Sequence, residues 1–199
     1  MLVREIMTSP AHKVDEGASL EEALQTLVTA RVTSLPVVDH DGRVVGIISE
    51  ADVLREHLAP DPRAHMRPVL PDSGPLPTTV GQVMTVHPHT VREDTDVAEL
   101  AQTFAATSWK CVPVIRGDVL LGVVSRSDVI RTMARPDSEI ADEVSKAFAQ
   151  IGQHSWRADV ADRVVHITGM ASEREVAAAT AIAQAILGVR RVTSQDPDA

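Results

Sequence analysis

The first two thirds of this chain are written twice, and a tandem repeat constrains a fold more tightly than any composition does. Val3-Arg-Glu-Ile-Met7-Thr8 recurs 77 residues later as Val80-Gly-Gln-Val-Met84-Thr85. The same offset carries His12 to His89, Val14 to Val91, Leu20 to Val97 and Leu27 to Phe104. It also carries Ser34-Leu35-Pro36-Val37-Val38 to Cys111-Val112-Pro113-Val114-Ile115. One residue is then lost in a turn, after which Gly46-Ile-Ile-Ser49-Glu50-Ala-Asp52-Val-Leu-Arg55 matches Gly122-Val-Val-Ser125-Arg126-Ser-Asp128-Val-Ile-Arg131. Ordered matches with one small gap mean duplication.

Each copy reads locally as strand, helix, strand, strand, helix. Ser19 with Glu22 three residues on opens a helix whose apolar positions are Leu20, Ala23, Leu24, Leu27 and Val28. The second copy caps with Asp96 and Glu99 and then offers Val97, Leu100, Ala101 and Phe104. Two β-branched runs, Val37-Val38 and Val44 to Ile48, flank Asp39-His-Asp41-Gly42, a hairpin signal repeated at Arg116-Gly117-Asp118. A second helix follows at Asp52 and at Asp128. The repeats span residues 1–58 and 78–135. Between them, residues 59–77 hold Pro60, Pro62, Pro68, Pro71, Pro75 and Pro77, half of the chain's 12 prolines, and read as a linker. Arg63, His65 and Arg67 make it locally basic.

Residues 138–196 are a third unit of different pattern. Ile140, Val144 and Phe148 share a helical stripe; Trp156 to Val160 and Val164 to Thr168 alternate like strands. Ser172 and Glu175 form a capping box for an Ala-rich helix to Ile186, Gly188 marks a stop, and Val189 to Val192 reads as a closing strand. The order αββαβ makes a small α/β sandwich. The whole chain is expected to be α+β.

Composition removes whole classes of function. Nineteen Lys and Arg against 28 Asp and Glu give a net charge of −9, a poor match for a polyanion. Two Trp, two Phe and no Tyr leave little surface on which nucleobases of a polymer could stack. The single cysteine, Cys111, permits neither an internal disulfide nor a cysteine-built zinc cage. The N-terminal sequence lacks an apolar signal core and no apolar run approaches a membrane span, so a cytoplasmic address is expected. The histidines, His12, His87 and His89 among them, lack accompanying carboxylates and are expected in exposed loops, with no metal site. No nucleophile elbow, phosphate-binding lysine loop or dinucleotide glycine fingerprint is present, so no enzyme is expected.

The repeated Gly-x-x-Ser-x-x-Asp is the chemically informative motif. At a strand-to-helix junction it serves first as a cap, with the glycine serving the hairpin. The same junction exposes helix N–H groups that suit phosphate, and a carboxylate three residues on can accept two hydrogen bonds from a ribose diol. Together these describe a nucleotide site.

On these residues the two copies resemble a tandem pair of cystathionine-β-synthase (CBS) domains, covering roughly residues 1–135. The resemblance rests on the Met-Thr near each start, Leu35-Pro36-Val37 and Val112-Pro113-Val114, and the two Gly-x-x-Ser-x-x-Asp segments. It implies a pseudo-symmetric module of two β-α-β-β-α repeats whose cleft holds an adenosine derivative such as AMP or ATP as a regulatory ligand, and which pairs into a homodimer. By position, Asp52 and Asp128 would hold ribose and Ser49 and Ser125 phosphate. The backbone of Thr33, Ser34, Leu35 and Pro36, and of Lys110, Cys111, Val112 and Pro113, would line the adenine. Residues 138–196 resemble the BON domain through Val164 to Gly169 and Gly188-Val-Arg-Arg-Val192. That implies a module contacting a protein partner or a membrane surface, with Arg190 and Arg191 as the anionic-surface contact.

The copies differ in charge. Arg126 stands where the first copy has Glu50, and Lys110 where it has Thr33. A cation beside phosphate attracts and an anion repels. The Asp128 site is therefore expected to take the phosphorylated adenosine, and the Asp52 site to be weak, empty or selective for a less charged ligand. Cys111 is expected as a small buried hydrophobe, and Trp109 and Trp156 as core. The leading expectation is a regulatory adenine-nucleotide sensor needing no cofactor. The rival is a ligand-free structural or stress-associated interaction protein whose Ser-x-x-Asp boxes only cap helices.

Overall fold

The computed structural model describes residues 1–57 and 76–194. The proline-rich stretch expected as a linker lies outside them, apart from Leu76 and Pro77.

The first repeat forms β1 (Val14–Asp15), α1 (Leu20–Ala30), β2 (Ser34–Val38), β3 (Val44–Ser49) and α2 (Glu50–His57). A short strand, β4 (Thr85–Val86), precedes the second repeat's β5 (Val91–Arg92), α3 (Val97–Ala106), β6 (Cys111–Arg116), β7 (Val119–Ser125) and α4 (Arg126–Met133). The order strand, helix, strand, strand, helix thus occurs twice, as the sequence pattern requires. The caps act as read: the Ser19 hydroxyl accepts the Glu22 amide at 3.1 Å, and the Asp96 carboxylate accepts the Ala98 amide at 2.9 Å. Between β2 and β3, Asp39 Oδ1 accepts the amides of Arg43 and Asp41, both at 2.9 Å, and closes the hairpin.

Burial follows the repeat. Val14, Leu27, Leu35, Val37 and Ile48 are buried, and so are their equivalents Val91, Phe104, Val112, Val114 and Val124. The first set packs with Leu20, Ala23, Val53 and Val80 into one core. A buried aliphatic side chain of this size contributes about 1.5–3 kcal/mol, so this apolar spine carries the repeat.

β4 was not legible in advance. It adds a fourth strand to the order β1-β2-β3-β4, with Gly46 opposite Val86 and Ile47 opposite Thr85. The second repeat's Met-Thr segment is thereby laid on the first repeat's hairpin. The exchange is mutual, because Thr8 bridges Val123 beside the sheet β5-β6-β7. This corrects the role read for the repeated glycine. Gly46 sits inside β3 and Gly122 inside β7, away from the turns. A Cβ on Gly46 would collide with the Met84 sulfur, and one on Gly122 would stand 2.6 Å from the Thr8 carbonyl oxygen. The glycines leave room for the other repeat's Met-Thr.

By chain contacts, Met7–Thr95 with Glu99–Arg126 forms one compact unit; Met1–Ile6, Asp96–Ala98 and the chain from Ser127 onward form another. In the second unit, α5 (Asp137–Gln150), β8 (Arg157–Ala161), β9 (Val164–Thr168), α6 (Glu173–Ala185) and β10 (Arg191–Ser194) follow the expected order αββαβ. The sheet runs β10-β9-β8, with β10 parallel to β9. Ile140, Val144, Phe148, Trp156, Val165, Ile167, Ala179 and Ala183 fill its core. Trp156 meets Phe148 edge to face with ring centroids 5.1 Å apart. The closing strand starts two residues later than its β-branched pattern suggests. Gly188 turns the chain at φ +94° and Arg190 donates its amide to the Arg163 carbonyl at 2.9 Å, so pairing begins beyond it.

Candidate functional site

The strand-to-helix junctions of the two repeats are built alike. The Glu50 amide donates to the Thr33 carbonyl at 3.1 Å, and the equivalent Arg126 amide donates to the Lys110 carbonyl at 3.0 Å. Each bond ties the first residue of a motif helix to the segment entering the preceding strand. Chain flanking β2 and chain flanking β6 are therefore held beside a helix start by backbone alone.

A cavity of about 510 Å³ opens at the first of these junctions. That volume lies within the range of small-molecule sites. The first repeat lines it with Thr33, Ser34, Ile47, Ser49, Ala51 and Asp52, and the second with Thr85, His87, Pro88, His89 and Ser108 to Val112. Of the residues expected at a ligand, the structure brings Thr33, Ser34, Ser49, Asp52, Lys110, Cys111 and Val112 to this one cavity. Leu35, Pro36, Pro113, Ser125, Arg126 and Asp128 are not in its lining.

Asp52 is the chemical centre of the cavity. Its Oδ2 accepts the Ser49 amide at 2.9 Å and the Ser49 hydroxyl at 2.6 Å. Its Oδ1 lies 3.4 Å from the Arg55 guanidinium. The motif is thus a working helix cap. A carboxylate has about four lone-pair positions, which leaves capacity for a diol beside these bonds. Ser34 supplies the opposite kind of signal. Its hydroxyl is buried with no hydrogen-bond partner among the described residues. A buried, unsatisfied hydroxyl costs about 1–3 kcal/mol and is the kind of group a bound ligand would satisfy.

The charges differ from the sequence expectation. Arg126 Nη2 donates to the carbonyls of Phe104, Thr107 and Trp109 at 3.2, 3.2 and 2.8 Å. It fastens the end of α3 and the turn after it, an alternative engagement to the phosphate contact expected of it. Lys110, whose carbonyl accepts the Arg126 amide, turns its side chain to the first motif. It lines the Asp52 cavity, its ammonium 3.9 Å from the Glu50 carboxylate. Both cations credited to the Asp128 site are therefore engaged elsewhere. At the second motif, Asp128 is buried and its Oδ1 meets Arg131 at 3.2 Å, the counterpart of the Asp52–Arg55 contact.

Two residues, Trp109 and Cys111, depart from their sequence reading. Trp109 is 40% exposed and stands on the cavity wall, where it stacks on His89 with centroids 4.8 Å apart and planes 21° apart. His87 and His89 lie in exposed loop, as expected, and both also line the same cavity. Cys111, expected as a small buried hydrophobe, is half-buried there. The offset pairing His12 with His89 was the available signal, but it gave no hint that the second repeat's histidine faces the first repeat's motif. Among the described residues, one trio could hold a metal, Asp39, His40 and Asp41 in the hairpin turn, and Asp39 is already occupied by two backbone amides.

Comparison with known proteins agrees with the repeat. The CBS domain family model matches residues 3–59 and 80–135. A curated relative, the chloroplastic CBS domain-containing protein CBSX2 of Arabidopsis thaliana, is 29% identical over 136 residues, 60% of this chain and 57% of that protein. CBSX1 of the same plant is 29% identical over 150 residues, covering 65% of this chain and 62% of its own. The chain thus spans about three fifths of the length of these relatives. Among solved structures, the CBS domain pair of protein MJ0100 in complex with 5-methylthioadenosine and S-adenosyl-L-methionine aligns with TM-score 0.54 and 25% identity. It covers 66% of this chain and 94% of that one. CBSX2 in complex with AMP aligns with TM-score 0.52 and 26% identity over 65% of this chain and 93% of that one.

Proposed function

The chain belongs to the CBS domain family, with one domain in each repeat, and we propose that it is a regulatory sensor that binds an adenosine derivative in the Asp52 cavity. One observation carries the reading: both repeats converge on a single cavity that holds a motif carboxylate, a buried hydroxyl without a partner and a cation at once. Asp52 would accept the ribose diol. The backbone of Thr33 and Ser34 would face the base, Ser49 would donate to the ligand's tail, and Lys110 would meet any phosphate. AMP and S-adenosyl-L-methionine in the related structures support an adenosine derivative as the ligand class. By repeat equivalence, Ser125 and Asp128 are the second candidate pair, with Leu35, Pro36 and Pro113 in the strands behind.

The protein acts in this reading by binding alone, without catalysis or cofactor. A ligand transmits a signal only if it favours one arrangement of the repeats over another. Leu54 on α2 leaves apolar surface exposed, which a second copy of the chain would cover in a homodimer. Residues 138–196, read as a BON-like module, would pass the state to a protein partner or membrane surface, with the exposed Arg190 and Arg191 as contacts. A cytoplasmic address belongs to the same proposal.

Calorimetric titration of adenosine and AMP into the wild type, Asp52→Ala and Asp128→Ala tests the site. Loss of binding in Asp52→Ala alone supports it. Loss confined to Asp128→Ala moves the ligand to the second motif. No heat and no thermal shift in any chain leaves the rival interaction protein, for which the Ser49–Asp52 cap is sufficient.

A further inference from the structure

We infer that Glu50 is a specificity residue that filters ligands of the Asp52 cavity by the charge of their tail, admitting adenosine derivatives with a neutral or single-phosphate tail and disfavouring polyphosphates. The inference rests on the adenosine reading of the cavity. It begins with the cations. Among the described residues lining the cavity, Lys110 is the one lysine or arginine. Its ammonium already lies 3.9 Å from Glu50 Oε2. Arg55, outside the lining, is paired with the Asp52 carboxylate at 3.4 Å. Arg126 Nη2 is engaged by three carbonyls. The positive groups around the cavity are thus matched by Glu50 and Asp52, both in the first turn of α2.

A tail with several negative charges meets no surplus of positive charge there. It must draw Lys110 from Glu50 and then sit beside the displaced carboxylate, and like charges at that range repel. A neutral tail provokes neither penalty. Glu50 is half exposed and touches the fold through its amide bond to the Thr33 carbonyl. Glu50→Gln keeps that backbone bond and opens only the exposed 3.9 Å pair with Lys110.

The test is calorimetric titration of adenosine, AMP and ATP into the full wild-type chain and into Glu50→Gln, with thermal unfolding to verify equal stability. In the wild type ATP is expected to bind more weakly than adenosine. In Glu50→Gln the ATP affinity is expected to rise about tenfold and the AMP affinity about threefold, with adenosine within twofold, since one charge is removed a few ångströms from the tail. ATP binding to the wild type as tightly as adenosine, or an equal change for all three ligands in Glu50→Gln, overturns the filter and leaves the adenosine site standing. Absence of binding by all three to both chains overturns the site and the filter together.

Discussion

The two repeats share a backbone and a motif, yet they hold their charges in opposite ways. At the same position of the motif helix the first has Glu50, exposed beside a lysine of the other repeat. The second has Arg126, which braces three carbonyls of its own repeat. One copy leaves a tunable charge at a cavity, and the other turns a charge into structure. The two copies of the motif thus carry opposite charges at the residue after the serine, Glu50 in one and Arg126 in the other.

The sharpest way to break this comparison is at the paired glycines. Gly122→Ala pushes a Cβ against the Thr8 carbonyl, which is backbone and cannot yield, whereas the obstacle nearest Gly46 is the flexible end of Met84. Gly122→Ala is expected to cost about 2–3 kcal/mol and Gly46→Ala about 1 kcal/mol or less, read from urea unfolding midpoints. Equal costs would mean that the exchanged Met-Thr segments do not press on the two sheets as described.

Next comes the arginine. Arg126→Met removes a cation from three carbonyls and is expected to lower stability by about 1–3 kcal/mol. Glu50→Gln opens an exposed pair and is expected to stay within about 0.5 kcal/mol. The same unfolding curves measure both, and an Arg126→Met chain as stable as the wild type would return that arginine to the pool of ligand contacts.

Ser34 refines the picture on the ligand side. Because its hydroxyl is buried without a partner among the described residues, Ser34→Ala is expected to leave the unliganded chain equally stable or up to about 1 kcal/mol more stable. Adenosine affinity should fall about fivefold, the loss of one hydrogen bond. Lower stability with unchanged affinity would show the hydroxyl to be a fold element.

The smallest effect concerns the hairpin turns. The amides of Arg43 and Asp41 hold the Asp39 carboxyl below the usual carboxylate range. A group with a depressed folded pKa stabilises above its unfolded pKa, near 4, and loses that contribution as pH falls through the folded value. Asp39→Ala should therefore lower the melting temperature slightly at pH 7 and leave it unchanged near pH 2. A deficit that persists at pH 2 would point to lost packing in place of the carboxylate's bonds.

Most of the repeat's architecture was written in short-range pattern. Ser19 with Glu22, Asp96, and the alternating runs around Asp39 and Gly117 mark elements through contacts a few residues apart, and those elements formed. What escaped depends on distance along the chain. β4 is two residues without periodicity, and it exists because Thr85-Val86 reaches the first repeat's sheet. Arg126 contacts carbonyls 17 to 22 residues earlier, at a helix end whose orphan acceptors no local motif announces. Lys110 and Trp109 lie in the second repeat by sequence but serve a cavity carrying the first repeat's carboxylate. The motif residues themselves, Ser49 and Asp52, were legible because one spacing both caps a helix and presents a carboxylate. That the second repeat would line a cavity at the first repeat's motif was not, since those side chains lie far along the chain.

The central claim is that the Asp52 carboxylate holds an adenosine derivative. Titration of AMP into the full wild-type chain and into Asp52→Ala by calorimetry tests it most directly. Removing a carboxylate that accepts a ribose diol should weaken binding by at least about tenfold. An Asp52→Ala chain that binds AMP with wild-type affinity would contradict the claim.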